Sequence, residues 1–273
     1  MIQSILKNRS TRLFLILGGF FIANAMIAEF IGVKIFSLED TLGVARANLN
    51  LFGSPFSFHL TAGVLLWPVV FIMTDIINEY YGSRGVRFLS YLTVGLISYS
   101  FLMFSGAIAL KPSEYFTIGN GVSDADAAYR GIFGQGLWII VGSIAAFLIG
   151  QLLDVLIFQR IKRFTGEKRI WLRATGSTLV SQLVDSFVVL FIAFYLGRRL
   201  ESGQGEPWTL HQIAVTGTGN YIYKFAMAVV LTPVIYLIHG WIERYLGKDL
   251  AGKMKRAAMG EKDEETSNIP TAG

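Results

Sequence analysis

The chain contains no cysteine, which excludes a disulfide frame, a thiolate metal site and a thiol nucleophile. Charge is scarce too: Asp, Glu, Lys and Arg make up 16% of the 273 residues, where a soluble domain carries about 25%. The three histidines, His59, His211 and His239, are scattered, so no histidine metal centre is expected. The GxSxG, HExxH and P-loop patterns are missing. The chain is therefore read as a non-enzyme with no catalytic residues, no metal ligands and no cofactors.

Apolar residues fill the space that charge leaves. They make up 53% of the chain, with a mean hydropathy of +0.51, and they come in runs near the length that spans a bilayer as a helix. The runs fall at 13–36, 60–80, 86–110, 135–159, 173–197 and 219–245. None alternates with the dyad period of a membrane strand. The prediction is an all-α polytopic membrane protein with six transmembrane helices, forming one domain over 1–246. A cytoplasmic tail follows over 247–273. It starts with a basic stretch, Lys253–Arg256, suited to a helix over anionic lipid, and from Glu261 it has the polar composition of a disordered segment. The first run is long, carries Asn24 and Glu29, and lacks a small-residue cleavage site, so it reads as a retained span.

Basic residues fall on alternate loops. Of the 24 Lys and Arg, only Lys34, Arg46, Lys111, Arg130, Arg198, Arg199 and Lys224 lie on one side; the other 17 lie on the opposite side. The positive-inside rule then places both termini in the cytoplasm, with an even number of spans between them. This topology, rather than nucleic acid, accounts for the pI of 9.4. The short loop Gly82–Gly85 makes the second and third runs a tight antiparallel pair. The loop at 37–59 ends in the aromatic-rich stretch Phe52–His59, suited to the membrane interface. The loop at 111–134 reads as polar and glycine-rich, and that at 160–172 as strongly basic.

The polar residues inside the runs carry the functional signal. Asp75, Asn78 and Glu79 are spaced i, i+3, i+4 and share one helix face directly after an apolar string. Gln151 with Asp154, and Gln182 with Asp185, repeat an amide and a carboxylate at i, i+3. At 1.5 Å per residue, Gln182, Asp185 and Asn24 fall near the midplane. Gln151, Asp154, Asp75 and Glu79 fall in the inner half, and Glu29 and Lys224 towards the outer surface. Arg173 is placed to pair with Asp154 or Glu79, and Lys224 with Glu29. A carboxylate in hydrocarbon is costly and usually lines a site or pathway. An excess of buried acid favours a cationic or donor-rich ligand, or a proton. An acid beside an amide also matches the N–H edge of a guanine-like base, on which Phe20, Phe21, Trp67, Phe71, Tyr80 or Tyr223 could stack. The plainer alternative is that these groups only link helices, a role that suits Ser143, Ser177, Thr178 and Ser181. Pro233 with Thr232 marks a candidate hinge in the last run.

Five stretches together resemble the queuosine precursor transporter family, the VUT family. They are Thr74-Asp75-Ile-Ile-Asn78-Glu79-Tyr80-Tyr81-Gly82, Gly150-Gln151-Leu-Leu-Asp154, Arg173-Ala-Thr-Gly-Ser177, Ser181-Gln182-Leu-Val-Asp185, and Tyr223-Lys224 followed by Thr232-Pro233. The match runs over 13–245. The long loop at 111–134 and the tail after 246 depart from the family pattern. The resemblance implies import of 7-cyano-7-deazaguanine and/or 7-aminomethyl-7-deazaguanine for queuosine modification of tRNA. It also implies kinship with the six-helix substrate-binding S components of energy-coupling-factor transporters. The alternative function is such a capture subunit, which would need an ATPase module. An intramembrane aspartyl protease is disfavoured, because Asp154 and Asp185 fall at different depths. The candidate substrate-binding set is Asp185, Gln182, Asp75, Glu79, Asn78, Asp154, Gln151, Asn24, Glu29, Arg173, Ser177 and Lys224. The expected partners are a small purine-like base and the lipid bilayer, with a homodimer as an assembly option and no nucleic acid.

Overall fold

A computed structural model describes residues 7–47, 49–119, 121–165, 170–200 and 206–259. The predicted disordered stretch Glu261–Gly273 and residues 166–169 of the basic loop lie outside them. Five helices among the described residues are long and apolar enough to cross a membrane. They are α1 (Arg9–Ile31), α3 (Trp67–Ala109), α5 (Leu137–Thr165), α6 (Ile170–Leu190) with its continuation, and α8 (Leu210–Leu246).

α1 begins where the Asn8 side chain accepts hydrogen bonds from the Ser10 and Thr11 amides, which satisfies two of the donors orphaned at a helix start. α3 is broken at Gly82, whose φ of 68° and ψ of −176° lie outside helical geometry. That left-handed φ costs a glycine little. The chain reverses there. Phe14 packs on Tyr81, and a Cβ at Gly63 would meet the Ala28 carbonyl, so the arm before Gly82 runs antiparallel to α1. Beyond it, Leu89 lies against Gly18, and Phe101 and Phe104 against Phe30, so the second arm runs parallel to α1.

α5 and α6 form the closest antiparallel pair. Gly142, Ala146 and Gly150 put a small residue at every fourth position of α5, which lets backbones approach. A Cβ at Gly142 would sit 3.1 Å from the Val189 carbonyl oxygen. α6 continues as a π-helical turn (Phe191–Leu196) and then α7 (Gly197–Leu200). Such insertions often mark functional sites, and nothing in the apolar pattern of 173–197 announces this one. α8 opens with a full capping box between Thr209 and Gln212 and continues through Pro233. Thr232 Oγ1 donates to the Ala228 carbonyl at 2.9 Å, one residue before the Val229 carbonyl that the proline leaves without its usual partner.

One end of the bundle gathers the Gly82 turn, the start of α1, the end of α8 and α9 (Lys248–Ala258). Tyr81 Oη donates to the Ser10 carbonyl at 2.7 Å, Arg12 Nε to Tyr245 Oη at 2.5 Å, and Ala258 abuts Gly82. The basic tail helix expected to lie over lipid is thus docked on protein at this end, with Ala251 and Lys255 buried.

The other end departs from an all-helical expectation. The first long loop folds into two antiparallel ladders: β1 (Ile35–Ser37) pairs with β4 (His59–Thr61), and β2 (Leu49–Leu51) with β3 (Ser54–Phe56). A short helix α2 (Leu38–Leu42) sits between β1 and β2. The first predicted span therefore stops at Ile31, five residues early, and the second starts later, because 59–61 is strand. Glu39 ties this loop together by accepting from the Phe58 amide at 2.9 Å and the Ala47 amide at 3.4 Å. The Phe58 bond holds its carboxyl below the usual carboxylate range. Phe56 leans back into the bundle, and any side chain at Gly219 would overlap its ring. The polar, glycine-rich loop at 111–134 contains helix α4 (Ala125–Phe133), started by the Asp124 side chain.

Candidate functional site

A chamber of about 730 Å³ opens among α1, β4, α5, α6, the π turn and α8, at the ladder end. That volume lies within the range of small-molecule sites. Val64, Trp67, Phe71, Tyr223 and Lys224 line it and also line a narrower crevice of about 40 Å³ that leads deeper, room for about one water. These five residues form the neck between the two spaces.

The chamber wall carries Glu29, Asp185, Lys224 and Asn220 among aromatic and aliphatic side chains. Lys224 Nζ pairs with Asp185, both side chains being less than one-fifth exposed. This corrects the expectation that Lys224 would meet Glu29. Glu29 instead accepts from Ser143 Oγ at 2.7 Å. In the crevice, Asp75 Oδ1 and Gln182 Nε2 are buried and have no hydrogen-bond partner among the described residues. A buried acceptor and a buried donor, both without partners, thus belong to residues that line the same small space.

Other predicted residues lie behind the wall. Glu79 is fully buried and pairs with two cations, Arg173 at 2.7 Å and Lys162 at 3.1 Å. Lys162 also donates to the Glu79 carbonyl at 2.9 Å. Arg173 meets Glu79, one of the two partners expected for it. Lys162 escaped the sequence reading, which counted it as a surface charge of the basic loop. Asn78 Oδ1 accepts from Gln159 Nε2 at 2.6 Å, Gln151 Oε1 from Thr74 Oγ1 at 2.9 Å, and Asn24 Nδ2 donates to the Phe20 carbonyl at 2.7 Å. Ser177 Oγ donates to the Ala174 carbonyl. Asp154 Oδ1 accepts from Ser181 at 3.3 Å and Thr178 at 3.4 Å. Asp185 lies against Gly150, one helical turn from Asp154 along α5, so the two aspartates do stand at different levels.

Of the aromatics considered for stacking, Trp67, Phe71 and Tyr223 line the neck. Phe20 is half exposed on the outer face, Phe21 packs by Phe147, and Tyr80 bonds His239 Nδ1 at 3.1 Å. Phe56, Phe147, Phe194 and Trp208 also line the chamber. Phe56 belongs to the stretch expected at the membrane interface and lines the chamber instead, and Trp208 comes from the loop before α8.

A bundle of long apolar helices enclosing a polar-edged, aromatic-walled chamber defines a multi-pass membrane protein built around a small-molecule site. The chain belongs to the family described as putative vitamin uptake transporter, which matches residues 61–238. A Bacillus subtilis (strain 168) protein named probable queuosine precursor transporter is 33% identical over 70% of this chain and 77% of its own. An Escherichia coli (strain K12) protein named queuosine precursor transporter is 28% identical over 82% and 91%. A Haemophilus influenzae protein named probable queuosine precursor transporter is 28% identical over 66% and 68%. No solved structure matches the chain.

Proposed function

We propose that this protein imports queuosine precursors, 7-deazaguanine bases, across the bacterial inner membrane, working alone rather than as the capture subunit of an ATP-driven machine. The observation that carries the reading is the pairing of an unsatisfied acceptor, Asp75 Oδ1, with an unsatisfied donor, Gln182 Nε2, below a neck of Trp67, Phe71 and Tyr223. A deazaguanine edge offers N–H donors beside a carbonyl acceptor, and its face stacks on aromatic rings. The family and the names of the relatives point the same way.

In this reading the two arms of α3 cross the membrane separately, giving six crossings like those of energy-coupling-factor S components. The Gly82 end, with both termini, faces the cytoplasm and the ladder end faces out. The base enters the chamber between Asp185, Glu29 and Lys224, and reaches Asp75 and Gln182 when the crevice widens. Asn78, Gln151, Asn24 and Ser177 hold helices together around it.

In cells unable to make the precursor, expression of this chain is expected to restore queuosine in tRNA from base supplied outside. Unmodified tRNA, with the protein present in the membrane, would remove the transport reading.

A further inference from the structure

Among the described residues, five acidic or basic side chains are no more than 2% exposed: Asp75, Glu79, Asp154, Lys162 and Arg173. Both cations pair with Glu79, so this triad carries one net positive charge. Asp75 stands one turn before Glu79 on α3, and its neighbour Thr74 donates to Gln151, one turn before Asp154 on α5. The triad offsets one of the two aspartates. A second ionised carboxylate would leave the dry core with an uncompensated charge, which is heavily penalised. Asp185 with Lys224, at the chamber, is neutral as a unit, and Glu29 there accepts from Ser143 of α5. One proton on the aspartates brings the five-residue core to zero.

Asp154 is shaped to hold that proton. Its Oδ1 accepts two hydroxyl hydrogens, while its buried Oδ2 has no partner. It touches neither cavity, but Thr178, which donates to it, lines the crevice. Asp154 therefore stands one hydroxyl behind the wall, and Asp75 stands in it. Asp75 and Thr178 line the same crevice.

We propose that Asp75 and Asp154 share one exchangeable proton and that the chain moves this proton together with the base. Asp154 stores the proton while Asp75, ionised, accepts the base N–H. When the base leaves, the proton passes from Asp154 to water on the receiving side, and the pair is recharged from the supplying side. The inference rests on the reading of the chain as a base transporter.

The test uses the purified full chain in liposomes of phosphatidylethanolamine and phosphatidylglycerol, with radiolabelled 7-cyano-7-deazaguanine as probe. An inside-alkaline gradient of one pH unit is expected to support about tenfold accumulation at one proton per base, since tenfold corresponds to 1.4 kcal/mol. A trapped pH dye should report matching acidification, and a sodium gradient should do nothing. Asp154→Asn keeps the size and hydrogen-bonding reach of the side chain. It should abolish gradient-driven accumulation while base-for-base exchange stays near the wild-type rate. The wild-type proton count needs no variant, so poor folding of Asp154→Asn leaves the test intact. Exchange that ignores the pH gradient, or that a sodium gradient drives, overturns the coupling and leaves transport standing. Wild-type protein that exchanges no base overturns the transport reading, and the coupling with it.

Discussion

Replacing Glu79 by glutamine is expected to destabilise the protein severely. Sequence spacing alone would make Glu79 a ligand of the base beside Asp75. The structure puts it between Lys162 and Arg173 with all three side chains shut off from solvent. Removing one member of a buried ion group leaves the others uncompensated, at a cost of about 3–5 kcal/mol. That corresponds to a drop of about 10 °C in melting temperature. Lys162→Met should cost less, because Arg173 still holds the carboxylate. Changing all three together, Glu79→Leu with Lys162→Met and Arg173→Met, should recover only part of the loss: apolar groups often replace buried ion groups without penalty, but the change also removes the positive charge set against Asp75 and Asp154. Thermal unfolding of the purified variants is the measurement. A Glu79→Gln protein with wild-type melting and no base binding would put Glu79 back among the ligands.

Asp185→Asn is expected to behave in the opposite way. Asp185 and Lys224 face the chamber and are partly wetted, so their pairing contributes little to stability. Melting should hardly change. Binding should weaken by about thirty- to a thousand-fold, the range for losing a charged acceptor to an enclosed ligand. The double variant Asp185→Asn, Lys224→Met should stay folded and still bind poorly. Equilibrium binding of 7-cyano-7-deazaguanine alongside thermal melting separates the two roles. Normal binding by Asp185→Asn would show that the base makes no use of this carboxylate.

The long apolar helices were legible because hydrocarbon imposes a length and a composition on any segment that crosses it. The reversal at Gly82 was legible as well, since four residues between two apolar runs leave no other path. The ladders at 35–37 with 59–61 and 49–51 with 54–56 were not, because three-residue strands are fixed by their partners and leave no period to read. Arg173 could be matched to Glu79 by depth, yet Lys162 sits three residues from the end of α5 among other charges of the basic loop, and only tertiary packing turns it inward. Lys224 was assigned to Glu29 on depth; rotation about the helix axis, which depth does not fix, gives it to Asp185.

The small residues of α5 have a mechanical consequence. At Gly142 backbone meets the Val189 carbonyl and the Ala193 amide, and at Gly150 the Asp185 side chain fills the gap, which leaves the two helices little room to slide. α5 and α6 therefore behave as one stiff beam that carries Lys162, Arg173, Asp154, Gln182 and Asp185 in fixed relation. Widening of the crevice falls to α3 and α8, whose Trp67, Phe71 and Tyr223 can turn about their own bonds. Spin labels at the exposed positions Leu156 and Val180 should keep one separation throughout the transport cycle, while labels that span α6 and α8 should report two.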